Sequence, residues 1–267
     1  GDLIVEGSIP SEINGTYYRN GFSIIVDEDV TTFTSLKRRG GRYAIVRVFG
    51  DININSVVMK ESVYPVKNRA LFKTSNEVIN KIWDMSMRTL ELCMEDTFTD
   101  CPLYEQNCWV GDMRNEALFA YTAFGAYDLA KRSISLAAES LEIQDLVAAC
   151  VPSYCEPTTI PVWSFLWNMA IKDYYLYSRD LDYIKEIWCD FKKNLRNTQK
   201  YINKEGLFEA QFWNMFDWGD VDWQGRSTML FNSIMLGAAL EDGIYLADLI
   251  DDLEFKSYCM KYKTELV

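Results

Sequence analysis

Apolar residues recur with two different spacings along this 267-residue chain, and the spacing changes near residue 67. Up to Val66, short β-branched and aromatic runs are separated by Gly and Asn/Asp turns: Leu3-Ile4-Val5, Thr16-Tyr17-Tyr18, Ser23-Ile24-Ile25-Val26 and residues 43–49. This texture predicts strands. Residues 43–49 alternate well enough for a half-buried strand, with Arg39-Gly40-Gly41 as the turn before it, and residues 53–64 predict one more strand. After Leu71 the period lengthens. Thr74 and Glu77 have capping-box spacing and open a predicted helix in which Val78, Ile79, Ile82, Trp83, Met85 and Met87 are apolar, running to about Met94. A rim loop over 95–108 follows, then predicted helices at 111–124, 127–140, 163–177, 181–201 and 229–249, and a last one from about Leu253. The connections carry Pro152, Pro157, Pro161, Gly206, Gly219 and Gly225, all helix breakers. Serial helices joined by alternately short and long loops predict helical hairpins set around an axis. The expected fold is mainly α, preceded by a small antiparallel β segment.

Composition narrows the chemistry. With 49% hydrophobic and 14% aromatic residues there is ample material for a core. Twenty-seven basic against 39 acidic residues give a net charge of -12, which repels nucleic acid and anionic membranes and suits a neutral partner such as a sugar. The absence of histidine excludes a Cys/His metal site, a Ser-His-Asp triad and a histidine base, so acid-base work falls to carboxylates, Lys or Tyr. Seven cysteines without CxxC spacing read as free thiols in a reducing compartment, and the expected location is cytoplasmic. No metal and no cofactor is implied. Residues 1–20 show no secretory leader, and no apolar stretch is long enough to span a bilayer.

The densest chemistry lies in residues 99–112, TDCPLYEQNCWVGD, which hold Asp100, Glu105 and Asp112. Carboxylates crowded beside apolar surface repel one another and resist ionisation, which yields an acid that stays protonated near neutral pH. A solvated loop carboxylate is the plain alternative for Glu105, and capping roles are the alternatives for Asp100 and Asp112. Trp109, Trp163, Trp213, Trp218 and Trp223 are candidate platforms for a sugar's C–H face, with Trp163 and Trp218 in loop or helix-start positions. Trp83, Trp167 and Trp188 are expected in the core. Asp217, Asp220 and Asp222 form an acidic rim segment that fits the same site, an exposed turn or a hard cation, though without a recognised calcium loop pattern. Cys101 and Cys108 read as buried inert thiols, and Lys37-Arg38-Arg39 as a solvated turn.

The 99–112 run resembles the bacterial α-L-rhamnosidases of glycoside hydrolase family 78, whose pattern is Asp-Cys-Pro-x-Arg-Glu-x-x-Gly-Trp-x-Gly-Asp. Asp100, Cys101, Pro102, Glu105, Trp109, Gly111 and Asp112 match it without a gap, while Tyr104 and Cys108 stand where that family usually has Arg and Gly. The stretches GRYAIVRV, FKTSNEVINKIWDMS and MFDWGD are looser similarities to the same family. The resemblance implies an (α/α)6 six-hairpin barrel preceded by β-sandwich domains. Residues 1–66 are then expected to be the end of a β domain and residues 67–267 the first part of a barrel, because only about six or seven helices can be counted against twelve. It also implies direct displacement at terminal α-L-rhamnose with inversion, Glu105 being the general acid and Asp100 and Asp112 holding rhamnose hydroxyls and helping keep Glu105 protonated. The family's general base is a second, distant glutamate, and no position here maps to it. The chain by itself is accordingly expected to be inactive, and exposed apolar faces of an unfinished barrel predict self-association. Two other readings fit the same residues: another six-hairpin glycosidase, and a non-catalytic carbohydrate-binding or scaffolding module, which Tyr104 and the missing base favour.

Overall fold

The structure, a computed structural model, describes residues 2–7, 12–13, 16–17, 21–26, 30–153, 158–218 and 226–266, with the backbone alone for residues 2–17 and 226–227. It divides into two compact units, one of residues 1–63 with 101–106 and the other of residues 64–100 with 107–267.

In the first unit the strands are β1 (Asp2–Gly7), β2 (Glu12–Ile13), β3 (Thr16–Tyr17), β4 (Gly21–Ile25) and β5 (Ala44–Phe49). β1 is central, antiparallel to β4 through Ile4 opposite Ser23 and to β5 through Ile4 opposite Arg47, and β2 pairs with β3. The strand expected at 53–64 does not form. Its apolar residues suit an extended chain, but a strand requires a partner edge, and among the described residues no strand pairs with it. β5 forms as expected yet buries less than its alternation suggests: Val46 is half-buried while Ile45, Val48 and Phe49 are exposed. Nor is Lys37-Arg38-Arg39 simply solvated, since Arg38 and Arg39 are half-buried and the Arg39 guanidinium lies 5.2 Å from the centroid of Phe22. Gly40 backs onto residues 102–103; a Cβ there would come within 2.5 Å of the Pro102 carbonyl oxygen.

The second unit is helical. α1 (Glu77–Leu92) starts at Asn76, whose side chain accepts from the Val78 and Ile79 N–H groups. This corrects the cap expected at Thr74. The short Asn side chain reaches those free amides directly, while the Thr74 hydroxyl accepts from the Asn76 N–H at 3.1 Å. Then come α2 (Val110–Phe124), ended by Gly125 at φ 62, and α3 (Tyr127–Glu139). α4 (Pro161–Ser178) begins on Pro161, expected from the sequence to be a breaker in a connection. A first-turn residue has no intrahelical acceptor for its N–H, so proline starts this helix without losing a bond. α5 (Leu181–Asn197) passes into a 3-10 turn at Thr198–Tyr201, and α6 (Arg226–Leu249) and α7 (Leu253–Glu265) follow.

α2, α4 and α6 pack in one row, with α3, α5 and α7 behind them, which is a mainly α, partial six-hairpin barrel. Ion pairs tie the inner row: Arg114 Nε donates to Asp173 at 2.8 Å between α2 and α4, and Lys172 Nζ to Asp242 at 2.6 Å between α4 and α6. Burial pushes both aspartates upward, and their cationic partners oppose it. Trp167 is fully buried with its indole N–H on the Ile134 carbonyl at 3.0 Å, Trp188 stacks on Phe191, and Trp83 is only partly buried. At the α4–α5 seam, Asn194 Oδ1 accepts from the Val147 N–H and the Ser164 hydroxyl, and its amide donates to Asn168 at 2.6 Å. That buried network ties the loop after α3 to the start of α4.

α1 is the exception to inward packing. Val78, Ile79, Ile82 and Met85, expected to supply its apolar side, are exposed, whereas Asn80 and Met87 are buried.

Candidate active site

The loop after α1 is fastened before it reaches its acids. Thr99 donates to the Cys93 carbonyl through both its N–H (2.8 Å) and its hydroxyl (3.2 Å), and Phe98 is fully buried. Asp100 then closes the base of the next loop with two bonds: its N–H donates to the Asn107 carbonyl at 2.9 Å, and its Oδ1 accepts from the Asn107 N–H at 2.9 Å. Residues 101–106 hang between these two ends and belong to the first unit. Within them Glu105 is exposed, its N–H donating to Cys101 Sγ at 3.4 Å, and Gln106 adopts the left-handed φ of 56 while its side chain donates to the Pro102 carbonyl at 2.9 Å. A non-glycine residue in that region is a local strain, of the kind loops hold where geometry matters. Tyr104 is exposed beside it.

Past Asn107 the chain joins the residues after α3. Cys108 accepts from the Val151 N–H at 3.0 Å, Val110 donates to the Ala149 carbonyl at 2.8 Å, and Trp109 faces Cys150 in an antiparallel bridge. Cys108 and Cys150 are buried, and burial first, then the charge of Glu116, pushes the Cys108 thiol far up. Cys101 is only half-buried, less than the sequence suggested.

Trp109 is the N-cap of α2 and makes no side-chain cap bond; Asp112 sits in the first turn, where the helix dipole favours its negative charge. Gly111 is pressed by the Trp163 indole from the start of α4, and a Cβ at 111 would overlap it. Four indoles thereby run together: Trp109 to Trp163 at 6.1 Å between ring centroids, Trp109 to Trp213 at 6.2 Å and Trp213 to Trp218 at 6.4 Å. The first three are half-buried around Ala149, Ile160 and Met215, and Trp218 is 76% exposed. Asp217 is exposed, with its Oδ1 accepting from the Trp218 N–H at 2.7 Å. Asp220, Asp222 and Trp223 lie outside the described residues.

One functional candidate lies outside the motif. Glu116, one turn beyond Asp112 on α2, is pushed up to about 9, first by burial and then by the charges of Asp112 and Asp100. It is therefore a carboxylic acid that stays protonated at neutral pH. The spacing of Asp112 and Glu116 was visible; that Asp100 and burial act on the same group was not.

The fold is a helical-hairpin domain, with Trp109 and Trp163 at the starts of α2 and α4 and Trp213 and Trp218 on the loop that precedes α6. The chain belongs to the family described as bacterial alpha-L-rhamnosidase six-hairpin glycosidase domain, whose pattern matches residues 67–263. Among solved structures it is similar to the glycoside hydrolase family 78 rhamnosidase of Bacillus sp. GL1, with 30% identity, a TM-score of 0.86, and 99% of this chain covering 28% of that one. The rhamnosidase from Klebsiella oxytoca, solved with rhamnose bound, shares the fold at 18% identity and TM-score 0.71, 99% of this chain covering 55% of that one. The Streptomyces avermitilis α-L-rhamnosidase, complexed with L-rhamnose, does so at 14% identity and TM-score 0.72, with coverage of 98% and 26%. The chain thus spans about a quarter to a half of the length of these relatives. No curated protein matches it. Among the described residues, no helix is long and apolar enough to cross a membrane.

Proposed function

We propose that this chain is the acid-bearing portion of an enzyme that hydrolyses terminal α-L-rhamnosides with inversion. The observation that carries the reading is the ungapped motif from Asp100 to Asp112 inside a chain that belongs to the rhamnosidase family. Glu105 protonates the departing glycosidic oxygen. Asp100 and Asp112 accept hydrogen bonds from rhamnose hydroxyls, and their placement supports this: Asp100 is held by Asn107, and Asp112 stands at a helix start beside Trp109 and Trp163. Trp109, Trp163 and Trp218 receive the sugar's apolar face, and Asp217 borders it. The base that activates water is a carboxylate roughly 6.5–9.5 Å from the acid in inverting enzymes, and it comes from outside this sequence. The isolated chain therefore binds rhamnose without hydrolysing rhamnosides.

Titrating L-rhamnose into the 267-residue protein while assaying an aryl α-L-rhamnoside tests this. Binding without turnover is expected; turnover would contradict the external base, and failure to bind rhamnose would contradict the substrate assignment. A non-catalytic carbohydrate-binding module is the second reading, favoured by the exposed Tyr104 where the family usually has Arg. Supplying the rest of a full-length parent separates the two, since the module reading predicts no activity even then.

A further inference from the structure

The loop that carries Trp213 and Trp218 is moored to the start of α6 by two adjacent side chains. Ser233 Oγ accepts from the Phe208 N–H at 2.9 Å and donates to the Met229 carbonyl at 2.7 Å, which ties down the first part of the loop. Asn232 takes the later part: its Nδ2 donates to Asn214 Oδ1 at 3.0 Å, and Asn214 Nδ2 in turn donates to the Ala210 carbonyl at 2.9 Å. Asn214 is buried and stands between Trp213 and Met215, both members of the cluster that holds Trp109 and Trp163. Trp213 has no part in the scheme above, yet its ring joins Trp109, 6.2 Å away, to Trp218, 6.4 Å away.

Asn232 is an unusual occupant for a helix position that is only 2% exposed. Its Oδ1 is buried and meets no hydrogen-bond partner among the described residues, a desolvation cost that an apolar side chain would not carry. Nor does it have room to hold a sugar, since the cavity it lines with Phe208, Asn214 and Thr228 is about 10 Å³, the size of one water at most. What the amide supplies is the donor aimed at Asn214. Two side-chain bonds on Asn214 fix its backbone, and that backbone fixes where the neighbouring Trp213 side chain leaves the chain.

We propose that Asn232 is a positioning residue for the indole row: by holding Asn214 it sets the Trp213 ring against Trp109 and Trp218, and so aligns the surface that receives the sugar. The inference rests on the reading of that row as the sugar platform.

The experiment compares the wild-type chain, N232L, N232S and W213F with the double variants N232L/W213F and N232S/W213F. N232L removes the donor while filling the site, and N232S leaves a side chain too short for the link, so one remains where the other fails to fold. Near-ultraviolet circular dichroism reads the coupled indoles, and both Asn232 variants should lose most of the signal that W213F removes. L-rhamnose affinity, measured by calorimetry, should fall roughly fivefold in N232L and N232S yet hardly change when Asn232 is replaced in the W213F chain, the non-additivity of residues that act through one another. A merely structural role would weaken both backgrounds by the same factor. That additive result, or an unchanged dichroism spectrum in the Asn232 variants, overturns the inference alone; where W213F binds too weakly to titrate, the dichroism comparison decides. A wild type that binds no rhamnose overturns the platform reading and this inference with it.

Discussion

The Trp163 indole lies against the backbone of Gly111 so closely that a Cβ at position 111 would overlap its Nε1 and Cδ1. This contact seats the start of α4 on the start of α2, and it explains in physical terms why the motif carries glycine two residues after Trp109. The indole cannot retreat freely, because its ring also meets Trp109 and packs in the small cluster around Ala149, Ile160 and Met215. Gly111→Ala should therefore cost about 1–3 kcal/mol, as over-packing does. Urea unfolding followed by tryptophan fluorescence measures it; an unchanged midpoint would show that Trp163 swings away at no cost.

Asp100 holds its loop by geometry and, in the proposed function, meets a sugar by charge, and two substitutions separate these. Asp100→Asn keeps an Oδ1 acceptor for the Asn107 N–H. Its stability should stay near wild type while rhamnose binding weakens. Asp100→Ala removes the acceptor as well and should lose a further ~1 kcal/mol. Limited proteolysis should then cut within residues 101–106 sooner than in Asp100→Asn.

Glu116 makes a signed prediction about stability. Its folded titration point, about 9, lies above that of an unfolded glutamate, so the folded state holds the proton longer. The resulting stability is fully present below the unfolded value and is lost as pH rises through the folded one. Thermal melts of wild type and Glu116→Gln should therefore diverge in favour of the variant as pH increases from about 4.5 toward 9. Melting curves whose difference is flat with pH would contradict the protonated acid.

Asp252 behaves in the opposite sense. It accepts from Trp188 Nε1 at 2.8 Å, from Lys192 Nζ at 2.9 Å and from the Phe255 N–H at 3.0 Å, so it caps α7 and pins it to α5. The Trp188 bond leads the causes that hold its carboxyl down at about 2, below an unfolded aspartate. That stability is present above about pH 4 and disappears as pH falls through the folded value. Asp252→Asn should cost about 1–2 kcal/mol at pH 7, allowing for screening, with the gap narrowing on acidification. Acid titrations monitored by circular dichroism provide the comparison.

The exposed row Val78, Ile79, Ile82 and Met85 on α1 predicts self-association. Sedimentation velocity should show mass rising with concentration, and Ile82→Glu with Met85→Lys should shift the protein toward monomer. A wild type that stays monomeric across the range would remove that role from α1.

Much of this architecture was legible because helices are local. The amphipathic period and the breakers located α2 to α7 within a few residues, since each backbone bond joins positions four apart and each face repeats every turn. Pro161 was misread for an equally local reason: proline breaks a helix interior but fits its first turn. The strand expected at 53–64 failed on a non-local condition, the need for a pairing edge. The buried side of α1 failed likewise, because periodicity identifies an apolar stripe without saying whether another element covers it.

Sequence alone determined the mainly helical character, the family and the order of the residues in the 100–112 motif, because these reside in spacing along one chain. Tertiary structure alone decided that Asp100 closes its loop on Asn107, that Trp109, Trp163, Trp213 and Trp218 form one row, and that Glu116 is the acid that keeps its proton. Burial and the charges of neighbours distant in sequence set those properties, and neither exists until the chain has packed.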